Sequence, residues 1–297
     1  MASLKDIRKR IASVKNTQQI TKAMKMVAAA KLRRAQDGVT QARPFATRIE
    51  GMLGDVLGRY EQPEDAPAPH PLLQPRDEIK RVELLVMTSD RGLCGGFNSN
   101  VTRAALRFLY DHSEAGPLET YDHIQVSTIG RKGRDFLARR PGVVIGSHHA
   151  GVFEDLHYGQ AEAIASDLIS RYLDSDLDAV YLLFNRFHSA ISQEVTLTKL
   201  LPLAAPAASE GLAVDFKYEP TRDAVLSKLV PLHLTIQVWQ ALLESNASEH
   251  GARMSSMDSA TRNAGEMIDS LTLVANRTRQ AAITRELVEI VSGAEAL

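Results

Sequence analysis

The chain has 297 residues, 44% hydrophobic and 24% charged, which is typical of a globular protein with one large or two modest domains. Its net charge is −1, but residues 1–50 carry 12 Lys/Arg against 3 Asp/Glu, so a basic first segment precedes an acidic remainder. A single cysteine, Cys94, excludes an internal disulfide and a cysteine-cluster metal site. No apolar run approaches the roughly 18 residues of a transmembrane helix, and the first residues resemble neither a secretory signal nor a transit peptide.

A long helix is predicted from Ser3, its capping residue, to about residue 58. Its first apolar stripe has heptad spacing and comprises Leu4, Ile7, Ile11 and Val14. The stripe continues in a shifted phase at Ile20, Met24 and Val27, which predicts a stutter. Pro44 should bend or interrupt the helix, because proline removes a backbone hydrogen bond and clashes with the preceding turn.

A second long helix is predicted from Pro231 to Ser292. Its apolar or small residues recur in steps of three and four at Trp239, Leu243, Met257, Ala260, Ala264, Met267, Leu271, Val274, Ala281 and Val288. Such a helix would be ~90 Å long, more than a compact domain of this size buries. We therefore expect the two helices to pair as an antiparallel coiled coil; the alternative is that each separately covers an ordinary domain.

Between them, residues 61–75 contain five prolines and predict a linker or extended loop without an element of its own. Residues 80–200 alternate between strands and helices and predict a Rossmann-like α/β domain. The predicted strands are 82–88, 124–129, 143–145, 178–187 and 191–200, the last two as an antiparallel hairpin, and the predicted helices are 98–110, 132–139 and 154–173. The predicted domains are an N-terminal coiled-coil helix (1–60), a proline-rich linker (61–79), the α/β domain (80–219) and a C-terminal coiled-coil helix (220–297).

The glycine-rich loop from Ser89 to Asn98 follows the first predicted strand, where α/β domains often bind ligands. Its glycines could hold a phosphate, but their spacing matches neither the dinucleotide fingerprint nor the P-loop, so a tight strand-to-helix turn is the simpler interpretation. Cys94 lies in this loop without an assignable base, and the histidines are scattered. We therefore predict no catalytic, metal or cofactor site.

The segment from Lys5 to Arg34 holds ten basic residues and one acidic residue. It could bind nucleic acid, meet an acidic protein surface or be a solvated face. In the C-terminal helix, polar residues interrupt the heptad pattern at Asn246, His250, Arg253, Thr278 and Arg285. They indicate either a face turned towards another protein or a drift in register that turns them to solvent.

Four segments resemble one known family. Residues 249–264 (EHGARMSSMDSATRNA) are similar to the C-terminal signature of the gamma subunits of F-type ATP synthases. Residues 20–31, 89–98 and 286–293 resemble further segments of that family in the same order. Gly251 stands where the family usually has alanine, residues 61–75 are longer than usual, and the redox-regulated insertion of chloroplast relatives is absent.

The resemblance implies a non-catalytic rotor with an α/β domain and an antiparallel coiled coil. Such a rotor transmits torque between a membrane rotor ring and a hexamer of alpha and beta subunits, and so couples proton flux to ATP synthesis. The implied partners are the alpha and beta subunits, the epsilon subunit and the c-ring, with no cofactor and no nucleic acid. The resemblance implies peripheral attachment to a membrane through partner subunits, and because no transit peptide is visible we expect a bacterial source and hence the cytoplasmic face of the inner membrane.

The resemblance also implies subunit-contact residues. Met24 and Lys25 should lie near an acidic loop of the beta subunits, and Arg253 and Gln280 should contact beta-subunit loops. Thr284 lies one turn beyond Gln280 on the same helix face. Two alternatives from other classes are a Rossmann-type nucleotide-binding enzyme with helical extensions and a nucleic-acid-binding coiled coil.

Overall fold

The computed structural model describes residues 3–60, 68–110, 123–206 and 217–295, which form two compact units. The two-helix unit comprises the described residues up to Ala29 and those from Arg253 onwards. The α/β unit comprises the described part of Ala30–Ala252. Helices α1 (Leu4–Gly58) and α5 (Arg222–Glu295) contribute residues to both units.

A mixed sheet forms the middle of the α/β unit. Its strands are β1 (Arg81–Met87), β2 (His123–Ile129), β3 (Val144–His149), β4 (Ala179–Phe187) and β5 (Gln193–Leu201). Their spatial order is β3-β2-β1-β4-β5, and the pairs are parallel except β4 with β5. The predicted hairpin is thus confirmed, as is the mixed α/β fold class. Central β1 is buried along almost its whole length, which explains its continuous apolar run.

Helices cover both faces of this sheet. Helices α2 (Phe97–Tyr110) and α3 (Arg131–Leu137) bury apolar side chains against one face. Helix α4 (Tyr158–Leu173), with segments of α1 and α5, covers the other. Helix α4 begins later than predicted, with His157 as its N-cap residue, whose backbone N–H donates to the Gln160 side chain at 3.4 Å.

Three prolines behave differently from the predictions. Helix α1 continues through Pro44, and α5 begins at Arg222 and continues through Pro231. A proline in a helix cannot donate a hydrogen bond to the carbonyl four residues earlier. Those carbonyls belong to Thr40 and Ser227, which are exposed, so water can take the place of the missing donor. Within the predicted linker, Pro71–Leu73 forms a short 3₁₀ helix that buries two leucines, and residues 61–67 lie outside the described residues.

The predicted stutter in α1 is wrong. In the two-helix unit, heptad spacing continues unbroken through Ile7, Ile11, Val14, Gln18, Thr21, Lys25 and Ala28, none of which is fully exposed. Thr21 and Ala28 are 8% and 2% exposed, whereas their apolar neighbours Ile20 and Val27 are 59% and 58% exposed. Helix α1 therefore buries a partly polar face and leaves the more apolar one outside.

The same one-residue offset occurs in α5. Buried or half-buried positions recur at heptad spacing in the two-helix unit, at Met257, Thr261, Ala264, Ile268, Leu271, Ala275 and Thr278. The predicted stripe shares Met257, Ala264 and Leu271, but its Met267 and Val274 are exposed. Ala260 and Thr261 are both half-buried, but it is the threonine that forms hydrogen bonds with α1.

Candidate functional site

The crevice at the carboxyl ends of β1 and β4 is filled by α5. The Ser248 hydroxyl donates a hydrogen bond of 3.1 Å to the carbonyl oxygen of Asn185 at the end of β4. At Gly251, an added Cβ would lie 3.2 Å from the backbone of Ala190, and Ala252 packs against Cys94 and Phe97. Open α/β sheets bind ligands in this crevice. Here protein occupies it.

The glycine-rich loop is held by its own side chains. The amide oxygen of Asn98 accepts the Ser89 backbone N–H at 2.9 Å, and its NH₂ group lies 2.8 Å from the Ser89 hydroxyl and 3.2 Å from the Cys94 sulfur. Asp90 accepts backbone N–H groups from Arg131 and Gly151 at 3.1 and 3.2 Å. These bonds favour the tight-turn interpretation, with Cys94 buried inside the turn.

Metal-ligating side chains do not gather within the described ranges: they contain no group of three or more His, Cys, Asp or Glu side chains that could hold an ion. Across the same residues, no helix is both long enough and apolar enough to cross a membrane.

Polar contacts join α1 to α5 in the two-helix unit; we call this contact face the polar seam. The Gln18 amide donates to the carbonyl of Thr261 at 3.4 Å, and the Thr21 and Thr261 hydroxyl oxygens lie 2.8 Å apart. The Lys25 ammonium lies 2.6 Å from the Asp258 carboxylate. Positions that rise along α1 meet positions that fall along α5, so the helices run antiparallel, as predicted.

The electrostatics of the seam centre on Asp258. Its hydrogen bond and ion pair with Lys25 lower the pKa of this carboxyl below its ordinary value. Both side chains are partly exposed, at 43% for Lys25 and 39% for Asp258. Lys25, predicted to meet another subunit, therefore has a carboxylate partner in its own chain, and Met24 beside it is half-buried.

Beyond Thr278, α5 extends past the start of α1. Continuing the antiparallel heptad register sets Leu4, the first residue of α1, opposite Thr278. The segment of α5 from Arg279 onwards, which we call the overhang, therefore lacks a facing α1 residue within the described part of the chain. Gln280 and Thr284 are exposed there, one turn apart. Apolar side chains at least half exposed in the overhang are Ile283, Leu287, Val288, Ile290 and Val291.

The remaining polar interruptions of α5 have different environments. In the α/β unit, His250 is buried and Asn246 is half-buried. The sequence predicted that such residues face either another protein or solvent, and His250 does neither. Arg253 is half-buried, Arg285 is exposed, and Thr278 donates a hydrogen bond of 2.9 Å to the carbonyl of Val274 in its own helix.

Sequence reasoning missed the α5 side of the seam, Asp258 and Thr261. It also missed Gln18 and Thr21 on α1. A signal was present: the heptad steps from Val14 to Ala28 pass through Gln18, Thr21 and Lys25 without a change of phase.

Known proteins of one family match this chain along its whole length. The family model described as ATP synthase matches residues 3–297. A protein of Anaeromyxobacter sp. strain Fw109-5 named ATP synthase gamma chain is 55% identical over 299 aligned positions covering 100% of both chains. One of the same name from Geotalea daltonii is 51% identical over 100% of this chain and 99% of its own.

Solved structures with a similar fold come from mitochondrial ATP synthases. A chain of the Tetrahymena thermophila central stalk/c-ring structure is 26% identical, with a TM-score of 0.57 over 81% of this chain and 99% of its own. A chain of the Euglena gracilis rotor structure, at 17% identity, shares the fold with a TM-score of 0.62 over 94% of this chain and 98% of its own. With a family model and relatives that match it over its full length, this chain belongs to the ATP synthase gamma chain family.

Proposed function

We propose that this chain is the central-stalk rotor of an F-type ATP synthase. It transmits torque between a membrane rotor ring and a catalytic hexamer of alpha and beta subunits, and so couples proton flux to ATP synthesis. The chain itself is non-catalytic; ATP chemistry takes place on its partners. The observation that carries the proposal is the overhang of α5, with its exposed apolar side chains.

A lone helix with exposed apolar residues needs a partner. An isolated helix of this length is only marginally stable in water, because little but its own backbone hydrogen bonds holds it together. Five large apolar side chains of the overhang are at least half exposed. A surrounding ring of other subunits would cover them, and Ala281 and Ala282 keep the helix slim enough to turn inside such a ring.

The contact residues fit this arrangement. We assign Gln280 and Thr284 on the overhang, and Arg253 further down α5, to contacts with beta-subunit loops. On α1, Met24 and Lys25 lie on one turn, and Lys25 keeps part of its charge accessible despite its bond to Asp258. The exposed lysines and arginines around them suit an acidic protein partner.

The remaining partners are assigned by family. We propose that the chain also binds the epsilon subunit and the c-ring, and that these hold it peripherally at the cytoplasmic face of the bacterial inner membrane. Support comes from the bacterial relatives named ATP synthase gamma chain and from the similar chain in a structure described as central stalk/c-ring.

Co-purification tests the assembly. Tagged chain expressed with its native operon should bring down alpha and beta ATPase subunits, and isolated chain should show no heat of binding for ATP because α5 fills the crevice. Absence of both subunits from the purified material would refute the proposal.

Substitutions test the contacts. Gln280→Ala with Thr284→Ala should lower ATP synthesis by membrane vesicles about fivefold, the loss expected when about 1 kcal/mol of hydrogen bonding disappears. Thr47→Ala, at an exposed position of α1 in the α/β unit, is the control and should leave synthesis unchanged. Equal rates in both variants would remove these two residues from the contact surface.

A further inference from the structure

We propose that the polar seam determines which face of α1 lies against α5, and therefore which face α1 presents to its surroundings. Gln18, Thr21 and Lys25 act as positioning residues, together with Asp258 and Thr261. Only the identity of the partner that meets the outward face rests on the proposed function; the choice of face is a property of this chain alone.

Two faces of α1 compete for contact with α5. One carries Gln18, Thr21 and Lys25, and the other, offset by one residue, carries Ile20, Met24 and Val27. Burial of apolar area alone would favour the second face. The structure buries the first: Ala28 is 2% exposed and the adjacent Val27 is 58% exposed.

The chemistry of α5 explains this choice. Asp258, Thr261 and Gly265 lie along one stripe at helical spacing, and each meets a polar residue of α1. Asp258 pairs with Lys25, Thr261 meets both Thr21 and Gln18, and the missing side chain of Gly265 leaves room for the Gln18 amide, which lies 3.2 Å from where a Cβ would be. Against this stripe, an apolar face would remove Lys25 from the carboxylate and Thr21 from the hydroxyl, which would keep only their contacts within α5 to Arg262 and to the Met257 carbonyl.

A rotation of α1 by about 100° about its own axis separates the two arrangements. Adjacent residues lie about 100° apart around a helix, and a straight helix drifts by about 20° per heptad relative to a coiled-coil seam. Over the heptads of the two-helix unit the drift approaches the offset between the faces. Side-chain chemistry, and not helix geometry alone, therefore decides the outcome.

Thiol reactivity in the full-length chain, without partners, measures which face is outward. In a Cys94→Ser background, one cysteine is introduced by Val27→Cys or by Ala28→Cys, and maleimide reaction rates are compared. With the native seam, the thiol at position 27 should react at least about tenfold faster than the thiol at position 28. Similar rates at the two positions would overturn the assignment of faces.

Two sets of seam variants remove the polar contacts from opposite sides. Asp258→Ala with Thr261→Val removes the α5 partners of the polar face, so position 27 should become protected and position 28 reactive. Gln18→Leu with Lys25→Leu removes the α1 partners and leaves Asp258 and Thr261 facing an apolar surface, so the two rates should come together. If both sets keep the native order, the polar contacts do not choose the face and the proposal fails.

Charge exchange replaces the first set of variants if that set loses its helical circular dichroism. Lys25→Asp alone and Asp258→Lys alone should bring the two rates together, and the double exchange should restore the native order. Failure of the double exchange to restore it would also refute the proposal. Because no other subunit takes part, these results are independent of whether the chain co-purifies with alpha and beta subunits.

Discussion

Replacing Gly251 with alanine tests how closely α5 approaches the β4–β5 hairpin. An ideal Cβ on Gly251 would lie 3.2 Å from both the Cα and the carbonyl oxygen of Ala190, which are backbone atoms. In the same unit, a Cβ on Gly38 in α1 would meet only the end of the Leu243 side chain at an ordinary 3.4 Å. The two substitutions make the same change in helix propensity but differ in the space available.

The opposing magnitudes can be compared. Glycine to alanine inside a helix is favourable by about 1 kcal/mol, because alanine loses less backbone entropy on folding. Crowding a packed site costs about 1–3 kcal/mol, and here the neighbour is backbone that cannot rotate away. Gly38→Ala should therefore stabilise the unit by up to about 1 kcal/mol, and Gly251→Ala should destabilise it by about 1 kcal/mol.

Trp239 provides the assay. It is the only tryptophan of the chain, lies in the α/β unit and packs edge-on against Tyr158 with ring centroids 6.0 Å apart. Its fluorescence during thermal unfolding should separate the midpoints of the two variants by about 4–8 °C, given 2–4 °C per kcal/mol for a domain of this size. A midpoint for Gly251→Ala that rises as much as that of Gly38→Ala would show that the close approach to Ala190 does not exist in solution.

Three further predictions concern charged groups. The Arg171 guanidinium lies 2.5 Å from the buried Glu83 carboxylate, and Glu83→Ala removes that partner. The substitution should destabilise the α/β unit by about 3 kcal/mol, measured by tryptophan fluorescence during unfolding. An unchanged unfolding midpoint would contradict the pairing. Arg253→Ala should reduce ATP-driven proton pumping per ATP hydrolysed without changing the circular dichroism, and an unaltered ratio would argue against its contact role. Because Lys25 lowers the pKa of Asp258, their pair stabilises the two-helix unit above the ordinary carboxyl pKa of about 4, and this contribution is lost as pH falls through the lowered value. Asp258→Asn should remove that acid-dependent step from helix melting, and a step of unchanged size would assign it to other carboxyls.

The elements that sequence predicted well are those whose signal is local. A continuous apolar run identified β1, and the short turn between two β-rich segments identified the β4–β5 hairpin. Strand β3 was predicted too short because its second half, from Ser147 to His149, is polar. Those residues are nevertheless in the sheet, where the Ser147 backbone N–H donates to the Ser127 hydroxyl at 3.0 Å.

The seam of the two long helices was predicted in the wrong phase for a non-local reason. Hydrophobicity favoured Ile20 and Val27, and only the unbroken heptad spacing from Val14 to Ala28 indicates that Lys25 belongs inside. Its partner Asp258 lies 233 positions further along the chain. Contacts between polar residues so far apart leave no mark on a local hydrophobic pattern, so apolar periodicity alone places them outside. Long helices could be predicted from pattern; which of their faces meet could not.

The segment of α5 in the α/β unit has a consequence for biosynthesis. The last strand, β5, ends at Leu201. The face of the sheet that α4 and α1 cover is completed only by residues of α5, including the fully buried Leu226, Val230, Leu234 and Leu242. Because a chain leaves the ribosome from its N-terminus, every strand is made while part of this apolar face is still open. The segment of α1 that contacts α5 is synthesised first and has no partner until α5 has been made. An example is Tyr60, just after α1, whose hydroxyl donates a hydrogen bond of 2.9 Å to Asp223 of α5. Interrupted synthesis before α5 would therefore leave an incompletely covered sheet, the kind of exposed apolar surface that chaperones and proteases recognise.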